Sequence, residues 1–246
     1  MSRLLVILCA ALAALTGRLL AEAPSSNDDS IQKLRLDKFV MPEFPDYVRM
    51  TGSSKGVVTV AIGRSAEGYV TDVLVLSATN ARLSRSVVEA VRKWKFALPG
   101  NLAPNGQQIF PIVRFLFSAK GIAVVSALTG SLASKDREIE ETASVHLPSF
   151  AELDEVPKPI VHPMPQFTGA TAERAIGATA TVKYFVDEEG KVRVPVVTEC
   201  SSPEIGQAAL SAVEQWTFDP PRAAGRSTIA LEMGQFTFAP SKDLGR

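Results

Sequence analysis

The chain has 246 residues, with 26 Lys and Arg against 26 Asp and Glu, so its formal net charge is zero. Near-neutrality without a basic cluster argues against nucleic acid or an anionic membrane as the main partner. The chain has two His, and outside residues 1–23 it has one Cys, Cys200, too few for the usual zinc ligand sets.

Residues 1–23 read as a secretory signal. Arg3 supplies the positive start, Leu4 to Thr16 is apolar, and Ala21-Glu22-Ala23 before Pro24 is a small-x-small cleavage site. The apolar run is short for a span of about 20 residues, and lengthening it would bury Arg18. Cleavage is therefore the expected fate, with an uncleaved anchor as the alternative. Cys9 has too little chain before it for a lipoprotein signal. Cleavage would leave 223 residues with a net charge of −1 and Cys200 as the sole thiol. No internal disulfide could then form, although the compartment is oxidising. Cys200 reads as a small residue closing a strand.

Residues 24–40 form a polar, then mixed, N-terminal arm. From Met41-Pro42 the pattern changes. Val57 to Ile62 is a β-rich run after Gly56, Arg64 to Gly68 is a turn, and Tyr69 to Leu76 is the returning strand. Asn80 caps a helix whose apolar stripe is Leu83, Val87, Val91 and Trp94. The helix stops before Pro99, and a third strand spans Gln108 to Ser118. Residues 119–160 read as a linker. Within it, Gly121 to Leu128 is apolar and either prolongs a strand or packs between domains, Ser134 to Thr142 is dense in charge, and several prolines stiffen the end.

The pattern then repeats. Gly68-Tyr-Val-Thr-Asp-Val-Leu-Val returns as Gly190-Lys-Val-Arg-Val-Pro-Val-Val, and Ala90-Val91-x-x-Trp94-x-Phe96 as Ala212-Val213-x-x-Trp216-x-Phe218, at a constant offset of 122. One offset over a strand-like run and a helix-like run indicates a duplicated domain. In the second copy the strands are Ala178 to Val186, Lys191 to Thr198 and Thr228 to Phe238. Ser202 is the helix cap, Pro203 takes the first helical position, and Ile205, Ala209, Val213 and Trp216 form the stripe. The expected division is 1–23 signal, 24–40 arm, 41–118 first domain, 119–160 flexible linker, 161–240 second domain and 241–246 tail.

Strand order follows from connection rules. A strand–helix–strand crossover makes the second and third strands parallel, and the hairpin makes the first antiparallel to the second. Proline falls in the second strand of copy two (Pro195) and the third of copy one (Pro111), but in neither first strand. Proline belongs on edges. The order is therefore second–first–third, with the third strand's outer side free. The fold class is α+β: two copies of a small three-stranded antiparallel sheet with one packed helix.

Catalytic and metal chemistry finds little support. His146 and His162 lie in or beside the linker and read as solvated loop residues. The turn Gly63 to Gly68 is too short and in the wrong context for a phosphate loop. Asp187-Glu188-Glu189 is an acidic turn whose charges are ordinarily solvated. Ser201 and Ser202 are explained by helix capping, with no histidine near in sequence to activate a nucleophile. Trp94 and Trp216 lie on the helix stripes, which favours core packing over a stacking site. No catalytic residue, metal or cofactor is expected, and the chain does not read as an enzyme.

The ordered set Pro42, Phe44-Pro45, Gly56, Gly68, Val70, Ala90, Val91, Trp94, Phe96, Phe115 and Phe117 resembles the C-terminal domain of TonB. So does the second set, Pro165, Gly177, Asp187, Gly190, Val192, Ser201, Ala212, Val213, Trp216, Phe218, Pro220, Gly225, Phe236 and Phe238. The resemblance implies tandem periplasmic protein-interaction modules. It implies partners among outer-membrane receptors or motor-complex proteins, bound as extended segments by β-augmentation at the third-strand edges. By position those edges carry Ile109, Val113, Phe115 and Phe117 in copy one and Ile229, Leu231, Phe236 and Phe238 in copy two. Pro111 removes one donor from the first edge. A TonB transducer is similar to this chain only in part, because it has a membrane helix, a long Pro-rich spacer and one terminal domain. The leading expectation is a soluble periplasmic binding module, and the alternative is an inner-membrane-anchored energy transducer. Two copies would raise avidity for a partner presenting two segments, or copy one could cap copy two by intramolecular edge pairing.

Overall fold

The strand Lys55–Arg64 is buried along nearly its whole length, on both faces, because helix and sheet cover it from opposite sides. A computed structural model describes residues 35–46, 55–97, 111–118, 121–126, 147–167 and 175–238. The proposed signal, most of the arm, Ile109, His146, the charged run 134–142 and the tail lie outside the described residues.

In chain order the strands are β1 (Leu36–Lys38), β2 (Lys55–Arg64) and β3 (Val70–Ala78), followed by helix α1 (Ala81–Val91). Next come β4 (Lys95–Phe96), β5 (Ile112–Ser118), β6 (Gly121–Ser126), a 3-10 turn at Phe150–Glu152 and β7 (Pro159–Val161). The C-terminal half continues with β8 (Thr179–Val186), β9 (Val192–Cys200) and helix α2 (Pro203–Val213). It ends with β10 (Thr217–Phe218), β11 (Arg222–Ala223), β12 (Arg226–Ser227) and β13 (Ala230–Thr237). The result is a mixed α+β fold of two helices and antiparallel sheets.

The main sheets have the orders β3-β2-β5-β6 and β13-β8-β9. The second–first–third order expected from the prolines thus holds in each sheet. Pro111 itself precedes β5, where its carbonyl accepts from the Ile62 N–H at 3.0 Å. Pro195 sits on the edge strand β9 beside Val194, whose φ of 47° accompanies a shift in the β8–β9 register.

Local chemistry explains each half. Gly68 and Gly190 close their hairpins at φ 84° and 85°, and the carbonyls of Phe96 and Phe218 occupy the space a Cβ would need. The Asn80 side chain accepts from the Arg82 N–H at 2.8 Å and caps α1. Ser202 accepts from the Ile205 N–H at 3.4 Å and caps α2, with Pro203 at the first position. The apolar stripes of both helices lie buried on their sheets, ending in Trp94 and Trp216. Each indole donates to the entry segment before its sheet, Trp94 Nε1 to the Val40 carbonyl at 2.7 Å and Trp216 Nε1 to the Pro163 carbonyl at 2.8 Å. The entry segments also add short strands, β1 on β4 and β7 on β10. Both begin before the boundaries of 41 and 161 expected from sequence.

Two findings differ from the sequence reading. The outer side of β5 is not free, because β6 pairs with it antiparallel from Val113 to Ser118. The apolar run after Gly121 takes the strand-prolonging option. Nor do the halves merely share a linker. Ala61 and Leu74 on one sheet meet Phe185 and Val194 on the other in a third buried cluster, flanked by Leu76, Ile112, Leu147, Ile229 and Leu231. The sheets therefore stack back to back beneath outer helices, which short-range patterning could not reveal. An ion pair bridges the contact. Arg193 donates to both carboxylate oxygens of Asp72, at 2.8 and 2.6 Å, and to Asp187 at 3.2 Å. These carboxylates hold the guanidinium pKa above its ordinary value despite partial burial.

Trp216 is 4% exposed and touches Tyr184, Phe218 and Phe236. Trp216→Ala is expected to destabilise by about 3–5 kcal/mol, read from denaturant unfolding. Gly190→Ala should cost more than Gly225→Ala. Both positions have positive φ, but only Gly190 has a neighbour, the Phe218 carbonyl, in the way. Burial, with help from the Glu232 carboxylate, pushes the Tyr184 hydroxyl well above the usual tyrosine range. Its neutral form is favoured in the fold. Its contribution to stability should therefore be complete below about pH 10 and fall away as pH rises further. Alkaline titration should show one phenolate signal appearing only with unfolding, and Tyr184→Phe should remove it.

Candidate strand-docking site

β13 is the outer strand of its sheet, and its register decides what it offers. It pairs with β8 from Ala230↔Val186 to Thr237↔Thr179. The Phe238 N–H continues the ladder inward, to the Ala178 carbonyl at 3.0 Å, whereas the Leu231 N–H points away, to the Pro148 carbonyl at 2.9 Å. Even-numbered residues therefore bond to β8, and the N–H and C=O groups of Leu231, Met233, Gln235 and Thr237 face outward.

These outward groups divide into two halves. Leu231 is met by Pro148, and the Met233 N–H donates to the Glu232 Oε1 at 2.9 Å. The other Glu232 oxygen accepts from the Phe150 N–H at 3.0 Å. The N–H groups of Gln235 and Thr237 have no partner among the described residues. Their side chains and that of Met233 are exposed. The open part is thus short, from Met233 to Thr237, at the C-terminal end of the strand.

The side chains named from sequence serve the core rather than the rim. Phe236 is buried, and Phe238 packs beside it at 6.0 Å between ring centroids. Ile229 and Leu231 flank the shared cluster between the sheets. Val113, Phe115 and Phe117 are fully buried under α1, and the backbone on their outer side already pairs with β6. Ile109 lies outside the described residues. In this architecture alternate side chains go to the two faces, so the edge presents backbone. Gly234 lets β13 lie close to Trp216, with the indole 3.3 Å from where its Cβ would be.

Other sequence candidates have structural partners. Asp187 Oδ1 accepts from the Glu189 and Lys191 N–H groups at 3.1 and 2.9 Å, and its other oxygen faces Arg193. The carboxylate is a turn brace. Ser201 Oγ accepts from the Thr179 N–H at 2.9 Å. His162 is exposed but stacks on Trp216 at 3.7 Å, so it is a lid on the indole rather than a freely solvated loop residue. Cys200 is an exposed free thiol beside Gly206. Among the described residues no three His, Cys, Asp or Glu side chains gather in a metal-binding group. No described helix is long and apolar enough to cross a membrane.

Sequence reasoning missed Glu232, Pro148 and Phe150. Glu232 gave a signal, as a carboxylate inside an otherwise uncharged strand. The Pro148 contact is set by tertiary packing and leaves no local mark.

Residues 163–239 match the family model described as Gram-negative bacterial TonB protein C-terminal. The matched stretch is less than half of the chain and contains α2, β8, β9 and the whole of β13. Among solved structures, the chain is similar to the TonB C-terminal domain of Pseudomonas aeruginosa, determined by NMR in solution. The TM-score is 0.30 at 22% identity, over 35% of this chain and 88% of that one. No curated protein matches.

Proposed function

We propose that the chain is a periplasmic protein-binding module, not an enzyme, made of two TonB C-terminal-like copies and docking an extended partner segment on the edge of β13. The observation that carries this reading is the pair of outward N–H groups at Gln235 and Thr237, which have no partner among the described residues. An incoming strand supplies carbonyls to those donors and N–H groups to the adjacent carbonyls, and exposed neighbours such as Met233 select among sequences. The TonB C-terminal match supports partners among outer-membrane receptors.

Duplication is supported by geometry at matching positions. The glycine–carbonyl contacts, the indole–entry bonds, the helix caps and the bridges Tyr69↔Lys95 and Lys191↔Thr217 all recur near the 122-residue offset. The copies are not equivalent platforms. β6 fills the β5 edge, so the reading assigns docking to the β13 edge. This disfavours an avidity role for the tandem.

Thr237→Pro tests the reading. It deletes an outward donor and leaves the β8 ladder whole, a position where an edge tolerates proline. The intact protein should capture a solubilised outer-membrane protein, and Thr237→Pro should lose that capture while melting within a few degrees of the parent. Undiminished capture by a folded Thr237→Pro protein would refute docking at this edge.

A further inference from the structure

Residues Leu147–Glu152 cross the N-terminal half of the β13 edge without forming a ladder. They make one backbone bond to it, from the Leu231 N–H to the Pro148 carbonyl. Beyond that, Phe150 meets Phe218 edge-on at 5.2 Å and Leu147 reaches the cluster between the sheets. Asp154 clasps the neighbouring hairpin turn, accepting from the Ala224 and Gly225 N–H groups at 2.8 and 2.7 Å. Ala151, Glu152, Asp154 and Glu155 are exposed. The contrast with β5 is direct, because β6 covers that edge with a continuous run of pairs from Val113 to Ser118. One edge is closed by a strand, and the other is touched by a strap.

We infer that residues 147–150 are a removable cover on the docking edge, latched by Glu232. The latch works through one carboxylate with two duties. Its Oε1 accepts from the Met233 N–H and its Oε2 from the Phe150 N–H. A strand that begins at Thr237 and extends toward Met233 must offer a carbonyl to the Met233 N–H in place of Glu232. Moving that carboxylate strips the Phe150 N–H of its acceptor and loosens the strap. The Leu231 N–H is then released from Pro148 for the incoming chain. Docking starts on the open half and lengthens by displacing the strap, with Glu232 coupling the two halves. This mechanism rests on the docking reading above. The strap itself can be tested without any ligand.

Amide exchange on the full-length protein decides the latch. In Glu232→Ala, exchange at Met233 and at Leu231 should accelerate about tenfold or more, although Leu231 never touches Glu232. Gly234 and Phe236, bonded to β8, should keep their rates. Phe150→Ala should accelerate Leu231 and leave Met233 slow, because Glu232 still caps it. Unchanged Leu231 exchange in Glu232→Ala would overturn the coupling. Acceleration of Gly234 and Phe236 with it would also overturn the latch, since β13 itself would be opening. The docking step is read separately with an acetylated, amidated peptide of β6 sequence, Gly-Ile-Ala-Val-Val-Ser, the segment that already occupies the edge of β5. It should perturb Gln235 and Thr237 in the parent and reach Leu231, binding about tenfold tighter, in Glu232→Ala. If exchange behaves as stated but the peptide perturbs no β13 residue in either protein, the strap stands and the docking reading falls.

Discussion

A sheet edge carries a row of backbone donors and acceptors that must be paired with something, and that requirement organises this protein. Nature's ordinary solutions are a strand, a cover, a charge or water. Three of them occur here on two edges. β6 lies along β5, the Pro148–Phe150 strap crosses the start of β13, and a Glu232 carboxylate caps the Met233 N–H. What remains, at Gln235 and Thr237, is a stretch of rim with no partner among the described residues.

The back-to-back arrangement of the sheets explains why a small module can keep an edge open. A three-stranded sheet with one helix has little core of its own. Here the face away from each helix is also buried, through Ala61, Leu74, Phe185 and Val194, and pinned by the Arg193–Asp72 pair. The pair is partly exposed, so its contribution lies in orientation more than in energy. The N-terminal half becomes a brace for the C-terminal one. Two sheets share a layer of side chains, and the C-terminal part of the β13 rim keeps outward N–H groups that have no partner among the described residues.

Much of this was legible in the sequence, and the limits are physical. Helix periodicity, caps, hairpin glycines and the position of Pro195 are local signals, and they placed α1, α2, the hairpins and the strand order. The β13 edge was legible as a strand, but the apolar side chains named on it pack inward. Phe236 and Leu231 alternate into two buried layers, so a list of apolar side chains on β13 describes the cores. The outward row on β13 is backbone, which every residue carries alike. The back-to-back contact was not readable, because Ala61 and Leu74 look like any apolar residue until the partner sheet is known. The strap depends on Pro148 meeting Leu231 across 83 positions of chain, a distance at which spacing carries no information.

The central claim is that one third-strand edge is closed and the other open, and residue-resolved amide exchange of the unmodified protein measures it directly. The β5 register turns the Arg114 and Leu116 N–H groups toward β6, and the β13 register turns those of Gln235 and Thr237 toward solvent. The account predicts slow exchange at Arg114 and Leu116, and exchange at Gln235 and Thr237 close to that of an unstructured chain. Equal protection of all four, or fast exchange at Arg114 and Leu116 with Gln235 and Thr237 slow, would contradict it.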